Sequence, residues 1–155
     1  MQPISVKNLY KLGLGATENA TVSMDGGELD FPESVIVGNI SGKMTMMRLE
    51  ESVAVKAELT AEVNLICDRC LDNFDTEVSF GFDAEYLFDR KAKSEDGLYA
   101  DKYLNIDISE PVHDELLLEI PTQNFCSQSC KGICPGCGNN LNHEECVCKM
   151  KPSNE

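Results

Sequence analysis

Eight cysteines carry the chemistry open to this sequence. Six lie between Cys126 and Cys148, in CSQSCKGICPGCGNNLNHEECVC, and the other two, Cys67 and Cys70, stand in CDRC. A closed tetrahedral zinc site takes four soft thiolates, so eight cysteines suffice for two such sites. The most specific piece is Cys134-Pro135-Gly136-Cys137-Gly138. Its two-residue spacer lets both sulfurs face one ion, and a glycine past the second cysteine takes positive φ at little cost. The expected cofactor is therefore zinc, two ions per chain, with Cys67, Cys70, Cys126, Cys130, Cys134, Cys137, Cys146 and Cys148 as the candidate ligands.

Other uses of cysteine fit less well. An even count also suits a secreted disulfide framework. Yet the N-terminal MQPISVKNLYKLGLG lacks the long apolar stretch of a secretory signal, and the first cysteine comes only at position 67. Pairs spaced as CxxC or CxC would close very small loops, which contribute little by the entropic route. A redox CxxC should open a helix within a strand-helix-strand unit, whereas Cys67 and Cys70 join two strand patterns. The expectation is zinc thiolate in a reducing cytoplasm, with no membrane segment. Catalytic zinc keeps a position open for water and commonly uses histidine or carboxylate ligands. Two histidines, no HExxH and no GxxxxGKS phosphate loop point to a protein that is not an enzyme.

The elements that must position these cysteines are legible in the alternation of side chains. From Val53 to Leu65 every odd position is apolar, and from Phe74 to Phe88 the apolar residues fall mostly on even ones. Two such stretches around CDRCLDN predict a long antiparallel hairpin with the CxxC at its tip. That ribbon can offer half a zinc site, and something else must supply the rest. Residues 35–49 predict another strand, with Ile36, Ile40, Met44 and Met46 inward and a bulge or close approach at Gly38 and Gly42. Residues 4–15 predict a first strand, and Asp25-Gly26-Gly27 a turn. Residues 89–101 lack periodicity and predict a loop, followed by a short edge strand at 103–107. A helix should then start at Asp107 or Ser109, with Val112, Leu116, Leu117 and Ile120 toward the sheet, and end at Pro121. The fold class is α+β, a mainly antiparallel sheet of five or six strands with one helix. Residues 1–121 are expected to form the sheet domain and 122–150 a cysteine-rich lobe, with His113 at the surface or partly packed and His143 a possible substitute for Cys146 or Cys148.

Cys67, Arg69, Cys70 and Leu71 at the hairpin tip, DELLLEIP before Pro121, and CPGCGNNLN with two further cysteines come in an order that resembles the YceD family. The resemblance, over about residues 35–148, implies a metal-binding cytoplasmic factor needed for normal 23S ribosomal RNA levels or processing. Members linked genetically to a large-subunit ribosomal protein imply precursors of that subunit as partners. It also bears on ligand pairing. Some members lack the CPGCG tail but keep the hairpin CxxC and two later ligands, which correspond here to Cys126 and Cys130. That implies one site of Cys67, Cys70, Cys126 and Cys130 and a second of Cys134, Cys137, Cys146 and Cys148. A zinc-ribbon pairing of 67/70 with 134/137, leaving 126/130 with 146/148, stays open beside it.

The charge limits how such a protein could meet RNA. Thirteen basic residues against 27 acidic give −14, whereas phosphate binding normally needs a basic face. Basic residues cluster only at Arg90 to Lys93, at Lys131 and at Lys149 to Lys151. Weak binding to naked ribosomal RNA and a basic ribosomal protein as partner follow. The lobe would present Lys131, Asn139, Asn140 and Asn142 at the contact. A zinc-stabilised interaction adaptor unrelated to ribosomes is the competing class, separated from the first by co-sedimentation with large-subunit precursors.

Overall fold

A computed structural model describes residues 3–88 and 97–148. Three long strands dominate it: β3 (Val35–Arg48), β4 (Ser52–Ile66) and β5 (Asn73–Leu87). Each pairs antiparallel with the next, and β2 (Thr17–Asp25) adds to the free side of β3. The fifth member of the sheet, β6 (Leu98–Tyr99), runs parallel to the end of β5. A separate two-stranded ribbon joins β1 (Ile4–Ser5) to β7 (Asn105–Ile106). Helix α1 (Lys7–Lys11) follows β1, and α2 (Ser109–Glu119) follows β7. The sheet, the main helix and the C-terminal cysteine region match the fold class expected.

Alternation explains which face is buried. The odd residues of β4 are all nearly inaccessible, from Val53 at 0% to Leu65 at 2% exposure, and Phe80, Phe82 and Tyr86 meet them from β5. Val112 and Leu116 of α2 and Leu9 of α1 cover that same face. The even residues Lys56, Glu58 and Glu62 face solvent. At about 25 cal/mol per Å² of apolar surface removed from water, this single face is the main source of stability.

Several expectations change. Residues 4–15 form a two-residue strand and a short helix, because Leu9 is needed on the core and Tyr10 packs edge-on to Phe88. The long strand at 17–25 carries polar residues on both faces through Asn19, so its alternation begins late, with Val22 and Met24 buried. The register of β3 shifts between Val37 and Ile40. That bulge at Gly38 inverts the side-chain phase, putting Val37 inside and leaving Ile36 63% exposed. Close approach is real at Gly42, where a Cβ would lie 2.2 Å from the Glu58 carbonyl oxygen. Within 89–101, residues 98–99 form β6, and 89–96 lie outside the described residues. Leu117 is 41% exposed, so α2 buries a narrower stripe than expected. Its N-cap position is Ile108; Asp107 sits just before and accepts from the Ser109 N–H at 2.9 Å and its hydroxyl at 2.7 Å. His113 is partly packed, one of the two positions expected of it: its ring lies 4.9 Å from that of Phe31, tilted by 31°, and Nε2 lies 3.0 Å from the Asp30 carbonyl.

Candidate metal centres

The tip of the β4–β5 hairpin is a tight knuckle. The Leu71 N–H donates to the Cys67 carbonyl at 2.9 Å, turning the chain so that both sulfurs face the same way. Leu71 takes φ 60° to do so. The same turn recurs at Cys134 to Gly138, where the Gly138 N–H donates to the Cys134 carbonyl at 2.9 Å and Gly138 takes φ 77°. Gly136 is needed for a different reason: a Cβ there would meet the Cys148 sulfur at 2.8 Å.

The chain beyond α2 brings up the remaining donors. Asp68 and Asn124 clasp each other, the Asp68 N–H donating to the Asn124 carbonyl at 2.8 Å and the Asn124 N–H to the Asp68 carboxylate at 2.7 Å. This clasp carries Cys126 and Cys130 to the tip. Cys67 and Cys130 Sγ lie 3.8 Å apart, and Cys70 and Cys126 Sγ 3.7 Å. The second group is local: Cys134 Sγ is 3.3 Å and Cys137 Sγ 4.0 Å from Cys146. Within each group, Cys67/70/126/130 and Cys134/137/146/148, the sulfurs all lie within 4.8 Å of one another. The sulfurs are therefore arranged as the family-based partition implies, and the ribbon pairing is not formed. His143 joins neither tetrad; its Nε2 lies 3.0 Å from Asp72 Oδ2.

These tetrads suit a tetrahedral thiolate ion. A metal–sulfur bond of about 2.3 Å implies a sulfur–sulfur edge of about 3.8 Å, against the ~2.05 Å of a disulfide. Ionisation points the same way. Burial pushes the Cys67 thiol up, but the N–H groups of Cys126, Cys70 and Arg69 outweigh it and hold it at about 6. The Asn142 side chain is the main cause that lowers Cys130. At Cys70 the Asp72 N–H pulls down, yet burial and the neighbouring sulfurs push it up to about 12; burial raises Cys126. In the second tetrad the Cys137 N–H lowers Cys134 and the Asn139 N–H holds Cys137 at about 6. There Cys134 raises Cys146, and Cys137 pushes Cys148 up to about 12. Each group thus has two thiols that ionise readily and two that their neighbours oppose. Only a cation lets all four ionise together.

A family model described as large ribosomal RNA subunit accumulation protein YceD matches residues 55–155. The chain belongs to the YceD family. Among curated proteins it is similar to the chloroplastic large ribosomal RNA subunit accumulation protein YCED homolog 1 of Arabidopsis thaliana, 46% identical over 43 residues. It is likewise similar to the homolog 1 of Zea mays, 47% identical over 53 residues. The aligned stretches cover 28% and 34% of this chain and only 13% and 17% of those relatives. No solved structure matches the chain. The family is named for accumulation of large-subunit ribosomal RNA, and the two cysteine tetrads of this chain could hold metal ions. No helix among the described residues is long and apolar enough to cross a membrane.

Some site residues escaped the sequence reading. Asp72 meets Asn140 and His143 of the loop between Cys137 and Cys146, and its only sequence signal is its place two residues after Cys70. Asn140 and Asn142, expected at an outward contact, have side chains turned to Asp72 and to Cys130 Sγ. Lys131 keeps the exposed position expected of it. Arg90 to Lys93 and Lys149 to Lys151 lie outside the described residues.

Proposed function

We propose that this chain is a non-catalytic zinc protein of ribosome biogenesis, which supports 23S ribosomal RNA accumulation or processing by acting on large-subunit precursors in the cytoplasm. One observation carries the reading: all eight cysteines fall into two tetrads at zinc–thiolate spacing, in a chain of a family named for large-subunit ribosomal RNA accumulation. Four thiolates complete a tetrahedral ion and leave no position for a substrate or water. The metal's role is then to fix the lobe to the hairpin tip. With a net charge of −14 the chain favours a basic ribosomal protein over naked RNA as its contact. Lys131 and the exposed outer side of the lobe are the face offered, since Asn140 and Asn142 are engaged inward.

Native mass spectrometry of the purified chain should show two zinc ions, and sucrose-gradient fractionation should place it with large-subunit precursors. Zero metal with four disulfides sinks the zinc assignment. Absence from precursor fractions favours a general adaptor. Tight binding of the isolated chain to a 23S fragment in a filter assay at physiological salt overturns the protein-partner reading.

A further inference from the structure

Between Cys137 and Cys146 the chain lies at the surface and reaches back to the other tetrad. Asn142 is the central contact. Its Nδ2 donates to Cys130 Sγ at 3.3 Å and to Asn140 Oδ1 at 2.9 Å, while its Oδ1 accepts from the Lys131 N–H at 2.8 Å. Asn140 Nδ2 donates to Asp72 Oδ2 at 2.6 Å. The Asp72 carbonyl in turn accepts from the N–H of Cys67 at 2.9 Å. Backbone bonds run in parallel, from Ile133 N–H to the Arg69 carbonyl and from Leu141 N–H to the Gly132 carbonyl, each at 2.9 Å. One loop therefore belongs to both sites: its two ends are anchored by ligands of the second tetrad, and its middle supplies a hydrogen bond to a ligand of the first.

We infer that the two metal centres are thermodynamically coupled through Asn142 and the Asn140–Asp72 contact, so that metal at Cys134/137/146/148 tightens metal binding at Cys67/70/126/130. The inference rests on the proposal that both tetrads hold metal. Four thiolates around one divalent ion leave excess negative charge, and an N–H donor aimed at a sulfur stabilises that charge. Residues 138–145 contain no helix or strand of their own. Holding Asn142 in place thus costs conformational entropy unless the ends of the loop are already fixed. Metal at the second tetrad supplies that fixing. Coupling of this kind is reciprocal, so metal at the first tetrad must tighten the second by the same factor.

The test is a titration of the full chain with cobalt(II) or zinc(II) against a competing chelator, with native mass spectrometry assigning occupancy and circular dichroism confirming the sheet. Cys146→Ser/Cys148→Ser disables the second tetrad and should weaken the first about tenfold or more, the range seen for outer-shell changes. Asn142→Ala keeps all eight sulfurs and should weaken the first tetrad severalfold. Asn142→Asp keeps the size but sets a carboxylate against the Cys130 sulfur, and should weaken it further than alanine; a merely space-filling role predicts the opposite order. A wild-type chain that takes up no metal overturns both the zinc reading and the coupling. Two ions in the wild-type chain, with an unchanged first-tetrad affinity in all three variants, overturn the coupling alone.

Discussion

The two tetrads are built on the same knuckle but differ in burial, the first having one exposed cysteine, Cys126, and the second one buried cysteine, Cys134. Cys67, Cys70 and Cys130 are buried, at 0%, 3% and 7% exposure, and they join a hairpin tip to a segment far along the chain. Cys146 and Cys148 are exposed, and their partners lie within the same short lobe. Metal in the first site closes a long loop and so restrains the tertiary fold, whereas metal in the second mainly orders its own neighbourhood. Identical ligand chemistry therefore has two different structural consequences. Loop length and burial decide which one a cysteine serves.

The largest expected effect comes from removing a buried ligand. Cys67→Ser leaves three thiolates and a hydroxyl in a closed pocket, and should cost on the order of 5 kcal/mol or more, a fraction of what structural zinc contributes in small modules. Cys148→Ser should lose one metal ion and lower the melting temperature of the sheet far less, by the part passed on through weaker binding at the first tetrad. Thermal melts followed by far-ultraviolet dichroism, paired with metal analysis, decide it; equal loss of sheet stability in both variants would erase the contrast between the centres.

Next in size is a test that the apolar face stabilises the sheet in its own right, beside the metal centres. Leu59 is 2% exposed and faces Phe80 across the β4–β5 pair. Leu59→Asp should destabilise by roughly 3–5 kcal/mol, combining the lost apolar burial with an unpaired charge. Lys56→Asp on the wet face should cost under about 1 kcal/mol, since its ion pair with Asp83 is long and exposed. Urea midpoints measure both. A tolerant Leu59→Asp chain would mean that the metal centres, and not the apolar face, hold the sheet.

A kinetic contrast is the third expectation. Sulfurs open to solvent should lose metal to a chelator, and react with a thiol-alkylating reagent, at least about tenfold faster than enclosed ones, because reaction requires thiolate and access together. Peptide mapping after partial alkylation should find label on Cys146 and Cys148 before Cys67 and Cys70. The reverse order would show that the hairpin tip opens more readily than the lobe.

How much of this could be read beforehand depended on whether the signal was periodic. The β4–β5 hairpin was legible because thirteen residues from Val53 to Leu65 alternate without a break, and so was the place of the CxxC at its tip. Ile36 was misassigned because a bulge at Gly38 inverts the phase, and one residue of slip is invisible in a pattern of period two. Helix α1 was missed because five residues span barely more than one turn, too few to show a period of 3.6. The eight cysteines announced themselves by type and spacing. Their partition could not be read from spacing, since both pairings satisfy it; it is decided by the Asp68–Asn124 clasp, a contact between residues far apart in sequence. Asp72 was silent, and Asn142 was expected to point outward, for the same reason.

The smallest effect gives the sharpest comparison, because it exchanges residues that hold the same positive-φ place in the two knuckles. Leu71 and Gly138 both follow the second cysteine, both donate an N–H to the first cysteine's carbonyl, and both have positive φ. Left-handed backbone costs a non-glycine residue roughly 1–2 kcal/mol, and glycine's greater freedom in the unfolded chain offsets roughly half of that. Leu71 is 63% exposed, so truncating it forfeits little burial. Leu71→Gly should therefore stabilise the hairpin tip by about 0.5–1 kcal/mol, read as slower metal loss from the first tetrad. Gly138→Ala should weaken the second tetrad by about 1 kcal/mol, and for backbone reasons alone, since a Cβ there meets nothing within 4 Å. If Gly138→Ala weakens its site as expected while Leu71→Gly also weakens the first, the strained leucine must be held by packing that its exposure in the isolated chain does not reveal. An exposed, strained, apolar residue at the rim of a metal centre would then mark where a partner sits.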